Sequence, residues 1–142
     1  MNRFDGVLAP VITPFTKDLL PDGERLTAHC QWLVNQGVGL AVFGTNSEAN
    51  SLSIDEKLVL LDELVTAGID PDLMMPGTGC CALSDTVRLT AHAVTLGSRG
   101  TLMLPPFYYK DVPEDGLFAF YSEVIQRVAE ESLRIYLYHI PA

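Results

Sequence analysis

Apolar residues gather in five short continuous runs, at positions 7–12, 38–43, 73–76, 101–104 and 135–138. Runs of four to six apolar residues without alternation predict strands covered on both faces, the pattern of a parallel sheet. Between them the apolar positions recur at helical spacing. The first helix aligns Leu26, Cys30, Leu33 and Val34 and stops at Gly37. The second opens with a capping box, Ser53-Ile54-Asp55-Glu56, and stacks Leu58, Leu61 and Val65 before Gly68. A third spans about 84–96 with Val87, Ala91 and Val94 aligned, ended by Gly97, and a fourth starts near Pro113-Glu114 and buries Leu117, Phe120, Tyr121, Val124 and Val128.

Successive runs begin 31, 35, 28 and 34 residues apart, from positions 7, 38, 73, 101 and 135, so the chain is a βα repeat. That period fits a (β/α)₈ barrel of about 250 residues or a five-stranded doubly wound sheet. No helix follows the last run before Ala142, and an uncovered fifth strand would leave an apolar edge bare. The expected fold class is therefore α/β, the first four βα units plus strand five of a (β/α)₈ TIM barrel. Residues 1–142 are expected to be the N-terminal part of one such domain, in a polypeptide that continues.

Composition narrows the partners. Eighteen acidic residues against nine Lys and Arg give a net charge of −9, with no basic stripe interleaved with aromatics, which argues against nucleic acid and anionic membranes. The start Met1-Asn2-Arg3-Phe4-Asp5-Gly6 lacks the apolar stretch of a secretory signal, and the expectation is a soluble cytoplasmic protein. Cys30, Cys80 and Cys81 are an odd set without zinc or redox spacing, and are read as free thiols with no metal role.

Sites in parallel α/β sheets lie at the C-terminal ends of the strands. After the second run comes Gly44-Thr45-Asn46-Ser47-Glu48, a polar turn whose N–H groups and hydroxyls can hold a carboxylate. After the fourth comes Pro105-Pro106-Phe107-Tyr108-Tyr109, and the fifth ends in Tyr138-His139.

These motifs, in order, resemble the dihydrodipicolinate synthase and N-acetylneuraminate lyase family of class I aldolases. Val11-Ile12-Thr13-Pro14-Phe15 resembles its first strand and Thr-Pro-Phe turn, and Gly44 to Glu48 its Gly-Thr-Thr-Gly-Glu loop. Gly77-Thr78-Gly79 is similar to its glycine turn, Pro106 to Tyr109 to its proline-tyrosine-tyrosine loop, and Tyr136 to Pro141 to its Tyr-Asn-x-Pro strand end. The resemblance implies a lyase that condenses or cleaves pyruvate, or another 2-keto acid, with an aldehyde through a lysine Schiff base, without metal or organic cofactor. It implies catalytic roles for Tyr138 as proton relay, Thr45 as its hydroxyl partner and Tyr108 or Tyr109 as a tyrosine reaching into a neighbouring subunit. Gly44, Asn46 and Ser47 would bind the keto acid, and the protein would be a homo-oligomer, a dimer or tetramer.

The family's lysine lies on strand six, which this sequence does not include. Lys17 and Lys57 read as solvated charges and Lys110 as a loop residue, because a nucleophilic amine must be desolvated to lose its proton near neutrality. Asn46, Ser47 and His139 depart from the family pattern, and the arginine that the resemblance implies for acceptor recognition would fall after Ala142, which leaves the acceptor aldehyde open. Blander roles are expected for Glu48, as a structural acceptor, and for His29 and His92, as surface or packing residues, with His139 supporting the site from behind. The rivals are a sugar-acid lyase of the same family and, from another class, a non-catalytic doubly wound binding module.

Overall fold

The computed structural model describes residues 5–140; the Met1–Phe4 opening and the Pro141 end of the last motif lie outside them. Four strands are formed, β1 (Leu8–Pro10), β2 (Gly39–Ala41), β3 (Thr101–Met103) and β4 (Ile135–Leu137), with helices α1 (Gly23–Asn35), α2 (Ile54–Thr66), α3 (Leu83–Leu96) and α4 (Glu114–Val128).

Strand order decides between the two architectures. β1 pairs in parallel with β2, and β3 with β4. Segment 74–78 joins the two pairs: Met75 N–H donates to Leu40 O (2.8 Å) and Gly77 N–H to Val42 O (2.7 Å), while Leu102 N–H donates to Pro76 O and Thr78 N–H to Leu102 O, both at 2.9 Å. The expected strand at 73–76 thus starts one residue later and makes isolated parallel bridges, Leu40 with Met74 and Gly77 with Leu102. Pro76 has no N–H, so it cannot donate to the ladder, which interrupts regular pairing there. The five lines of chain lie side by side in sequence order, all parallel. A doubly wound sheet places its first strand inside the order, next to a switch point; sequential order is that of a barrel wall, and the doubly wound alternative falls.

The helix signals act locally as expected. The start of α1, for which the sequence reading named no signal, is capped by Asp22, which accepts the Arg25 N–H (3.0 Å). At α2, Ser53 Oγ accepts the Glu56 N–H (3.2 Å) and Glu56 Oε2 accepts the Ser53 N–H (2.7 Å), satisfying two N–H groups that helix geometry leaves without partners. Gly97 adopts φ 96° at the end of α3.

The inward face of α2 differs from the expected stripe. Lys57, Leu60, Leu61 and Leu64 are the buried positions, whereas Leu58 and Val65 lie at the flank. The stripe is rotated by about one residue, and this places Lys57, expected to be solvated, at 5% exposure. Its amine is held below the ordinary lysine pKa, chiefly by burial, with Cys80 and Asp85 partly opposing that. On α3 the buried residues are Thr86, Leu89, Thr90 and Ala93, while Val87 and Ala91 lie together on one flank and pack against the cluster around Met103 and Val124.

Candidate active site

Beyond β2 the chain leaves the sheet abruptly. Phe43 is buried yet adopts φ 58°, an outlier for a bulky side chain, and Glu48 takes φ 55° five residues later. Between them Gly44 is extended and Thr45–Ser47 make a single tight turn. Opposite, a Cβ on Gly77 would run into the Phe43 carbonyl, and one on Gly79 into the Leu104 backbone. Two glycines are therefore what let segment 74–78 approach its neighbours closely at this end of the sheet.

A cavity of about 120 Å³ opens here, lined by Phe43, Gly44, Thr45, Glu48, Ala49, Asn50, Ser51, Gly77, Gly79, Leu102, Leu104 and Tyr138. Tyr138 is held at its place because its N–H donates to Met103 O (2.9 Å), one residue past β4. The structure thus brings Gly44, Thr45 and Tyr138 to one cavity, at the strand ends where parallel sheets carry their chemistry. The N–H groups of Thr45 and Asn46 have no partner among the described residues, while those of Ser47 and Glu48 turn back to Gly44 O (3.0 Å) and Thr45 O (3.2 Å).

Other expected residues stand apart. Tyr108 and Tyr109 meet edge to face (5.6 Å, 89°) but are 77% and 61% exposed and do not line the cavity. Asn46 is exposed and also outside the lining. Ser47, expected to contact the keto acid, is fully buried and directed away from it: its hydroxyl donates to Val11 O and accepts the Gly44 N–H (3.2 Å). Both interactions hold the turn itself, so no hydroxyl remains to offer a ligand. His139 is exposed and off the lining. His29 stacks on Trp32 (6.1 Å) and His92 Nε2 pairs with Asp62 Oδ1 (2.8 Å) between α3 and α2, both on the helical exterior.

Sequence inspection missed part of the lining. Glu48, taken as structural, reaches the cavity, and so do Asn50 and Ser51. Their signal was present in a polar stretch running from the turn up to the Ser53 cap. None of Lys17, Lys57 or Lys110 lines it. The three cysteines are free, and burial pushes the Cys30 thiol up to about 12 and raises Cys80, which keeps both protonated and unreactive. Among the described residues no cluster of three or more His, Cys, Asp or Glu could hold a metal, and no helix is long and apolar enough to cross a membrane.

Known proteins share this arrangement. The chain is 36% identical to a DapA-like lyase of Chloroflexus aurantiacus over 96% of its length, and 35% identical to the N-acetylneuraminate lyase of Pongo abelii over 99%. It spans about half of those relatives, 46% and 44% of their length. Among solved structures, dihydrodipicolinate synthase of Agrobacterium tumefaciens superposes with a TM-score of 0.90 at 33% identity, over 96% of this chain and 48% of that one. YagE of Escherichia coli, a member of the same family solved with pyruvate, gives 0.82 at 29% identity, over 97% and 45%. The sequential parallel order and these superpositions make the fold the first four βα units plus strand five of a (β/α)₈ barrel. The model of the dihydrodipicolinate synthetase family matches residues 3–142, and the chain belongs to that family of lyases.

Proposed function

We propose that this chain supplies the substrate-holding half of an aldolase that joins pyruvate, or another 2-keto acid, to an aldehyde, or splits the product. The amine that forms the Schiff base would come from polypeptide outside these 142 residues, since none of the chain's three lysines lines the cavity. The observation that carries the proposal is the meeting of Thr45 and Tyr138 in one cavity at the strand ends of a chain of this family.

Each group has a task. The unpartnered N–H groups of Thr45, at the cavity wall, and of the adjacent Asn46, on the turn just outside it, hold the keto-acid carboxylate at the cavity's rim, which suits an acidic protein that brings no cationic side chain to the cavity. Tyr138 carries protons to and from the bound substrate. A phenol with a free pKa of about 10 does so only within a hydrogen-bonded chain, and Thr45 supplies the adjoining hydroxyl. Tyr108 or Tyr109, projecting into solvent, extends that chain into a neighbouring copy in a dimer or tetramer. The enzyme works in the cytoplasm and needs no metal or organic cofactor.

The similarity to N-acetylneuraminate lyase favours a sugar acid as the second candidate substrate. Borohydride reduction of the complete protein with pyruvate, read by mass spectrometry, should leave a covalent adduct. If no small 2-keto acid gives one, the aldolase assignment fails.

A further inference from the structure

The hydroxyl of Ser47 joins two parts of the chain 36 residues apart in sequence. It donates to Val11 O, just past β1, and accepts the Gly44 N–H at 3.2 Å. A hydroxyl has one proton and two acceptor sites, so a single oxygen can serve both partners. Ser47 and Val11 are both buried, so their bond is shielded from water, while Gly44 is half-buried at the cavity. The turn is thereby tied to the neighbouring strand at the place where its backbone is least relaxed, between the left-handed Phe43 and Glu48.

This link also selects which donors the turn presents. Gly44 N–H is occupied by Ser47 Oγ, and the N–H groups of Ser47 and Glu48 are occupied by turn carbonyls. Thr45 and Asn46 are left as the adjacent unoccupied pair. We propose that Ser47 is a positioning residue for substrate binding: its hydroxyl fixes the turn so that the Thr45 and Asn46 N–H groups, and not that of Gly44, receive the keto-acid carboxylate. The inference deepens the aldolase proposal and depends on it for the identity of the ligand. Ser47 itself touches no substrate.

Without the hydroxyl, the buried Val11 O and the half-buried Gly44 N–H lose their partner, and the turn must shift to satisfy them. The effect belongs to binding of the carboxylate, which is present before and during reaction, so it falls on KM and spares kcat. The test compares the complete wild-type protein with Ser47→Ala and Ser47→Thr. In wild type the Gly44 amide should exchange slowly with solvent. Ser47→Ala should speed that exchange about tenfold or more relative to α2 amides and raise KM for pyruvate about tenfold, with kcat within about threefold. Ser47→Thr, which keeps the hydroxyl, should recover most of both losses.

A freely exchanging Gly44 amide in wild type overturns the positioning role without any variant. So does a Ser47→Ala protein in which apparent kcat falls together with thermal stability while KM is unchanged, the mark of simple unfolding. Turnover by wild type with an unprotected Gly44 rejects the role of Ser47 alone. A protected Gly44 in a protein that turns over no 2-keto acid rejects the aldolase proposal, and the positioning role with it.

Discussion

Within the described residues the first three βα layers and the last one are enclosed to different degrees. Around α1, α2 and α3 a single cluster gathers fourteen buried residues, from Val11 to Ala93, and these include the fully enclosed Leu26, Leu40, Leu61, Leu64 and Leu89. Around α4 the corresponding cluster has three, Met103, Val124 and Val128. The same helix leaves Phe118 76% exposed, and β4 leaves Leu137 68% exposed. Thr45 projects from the dense region and Tyr138 from the thin one, so the cavity lies on the seam between them. Within these 142 residues the turn stands on the enclosed side and the phenol on the open one, the side that adjoins the further units in a (β/α)₈ barrel such as the solved relative of which this chain covers 48%.

The largest expected effect tests that contrast directly. Leu64→Ala removes a side chain with no exposed surface from the dense cluster and should cost about 2–5 kcal/mol, seen as a lower urea midpoint with an unchanged slope. Val128→Ala, in the thin cluster and already 8% exposed, should cost about 1 kcal/mol. Equal losses would mean that burial of these side chains does not report where the stability lies.

Next in size is an effect on chemistry without one on stability. Tyr138→Phe keeps the ring and deletes only the hydroxyl, so the thin region should hold together while kcat for the keto-acid reaction drops about a hundredfold. Tyr138 is partly exposed, and its backbone bond to Met103 O survives the change. An unchanged kcat would remove Tyr138 from the relay, and the seam would then be only a structural boundary.

Much of this was legible from residue order, for definable reasons. Capping signals act within one turn of chain, so the start at Ser53 and the stop at Gly97 follow from sequence alone. Apolar runs located every line of the sheet, because a strand covered on both faces has no polar positions to hide it. Helix phase was less legible. On α2 the pattern admits two stripes one residue apart, and only packing against α3 selects the one that includes Lys57. The site was legible at the level of segments and less so for single side chains. Ser47 looks like a ligand-binding serine until the Val11 carbonyl, 36 residues distant, is seen to take its proton. Whether Tyr108 and Tyr109 join the cavity depends on contacts that no local pattern encodes.

The smallest expected effect concerns the one charged side chain inside the dense region. Lys57 is 5% exposed and lies in the first turn of α2, where the helix dipole also disfavours a cation. No carboxylate lies within ion-pair distance of its amine among the described residues. Burial lowers its pKa from 10.5, so over the interval just below 10.5 the unfolded chain holds the proton more tightly than the folded one, and stability rises with pH there. Below the folded pKa both states are charged, and the full cost of burying the cation is present. Lys57→Met, similar in length and without charge, should therefore gain about 1 kcal/mol at neutral pH, and the gain should shrink as pH climbs toward 10.5. Urea midpoints of the two proteins across that range measure the difference free of other titrating groups, which they share. A variant less stable than wild type at neutral pH would mean that Asp85 compensates the amine fully. The dense region would then include a working polar contact in place of a tolerated charge.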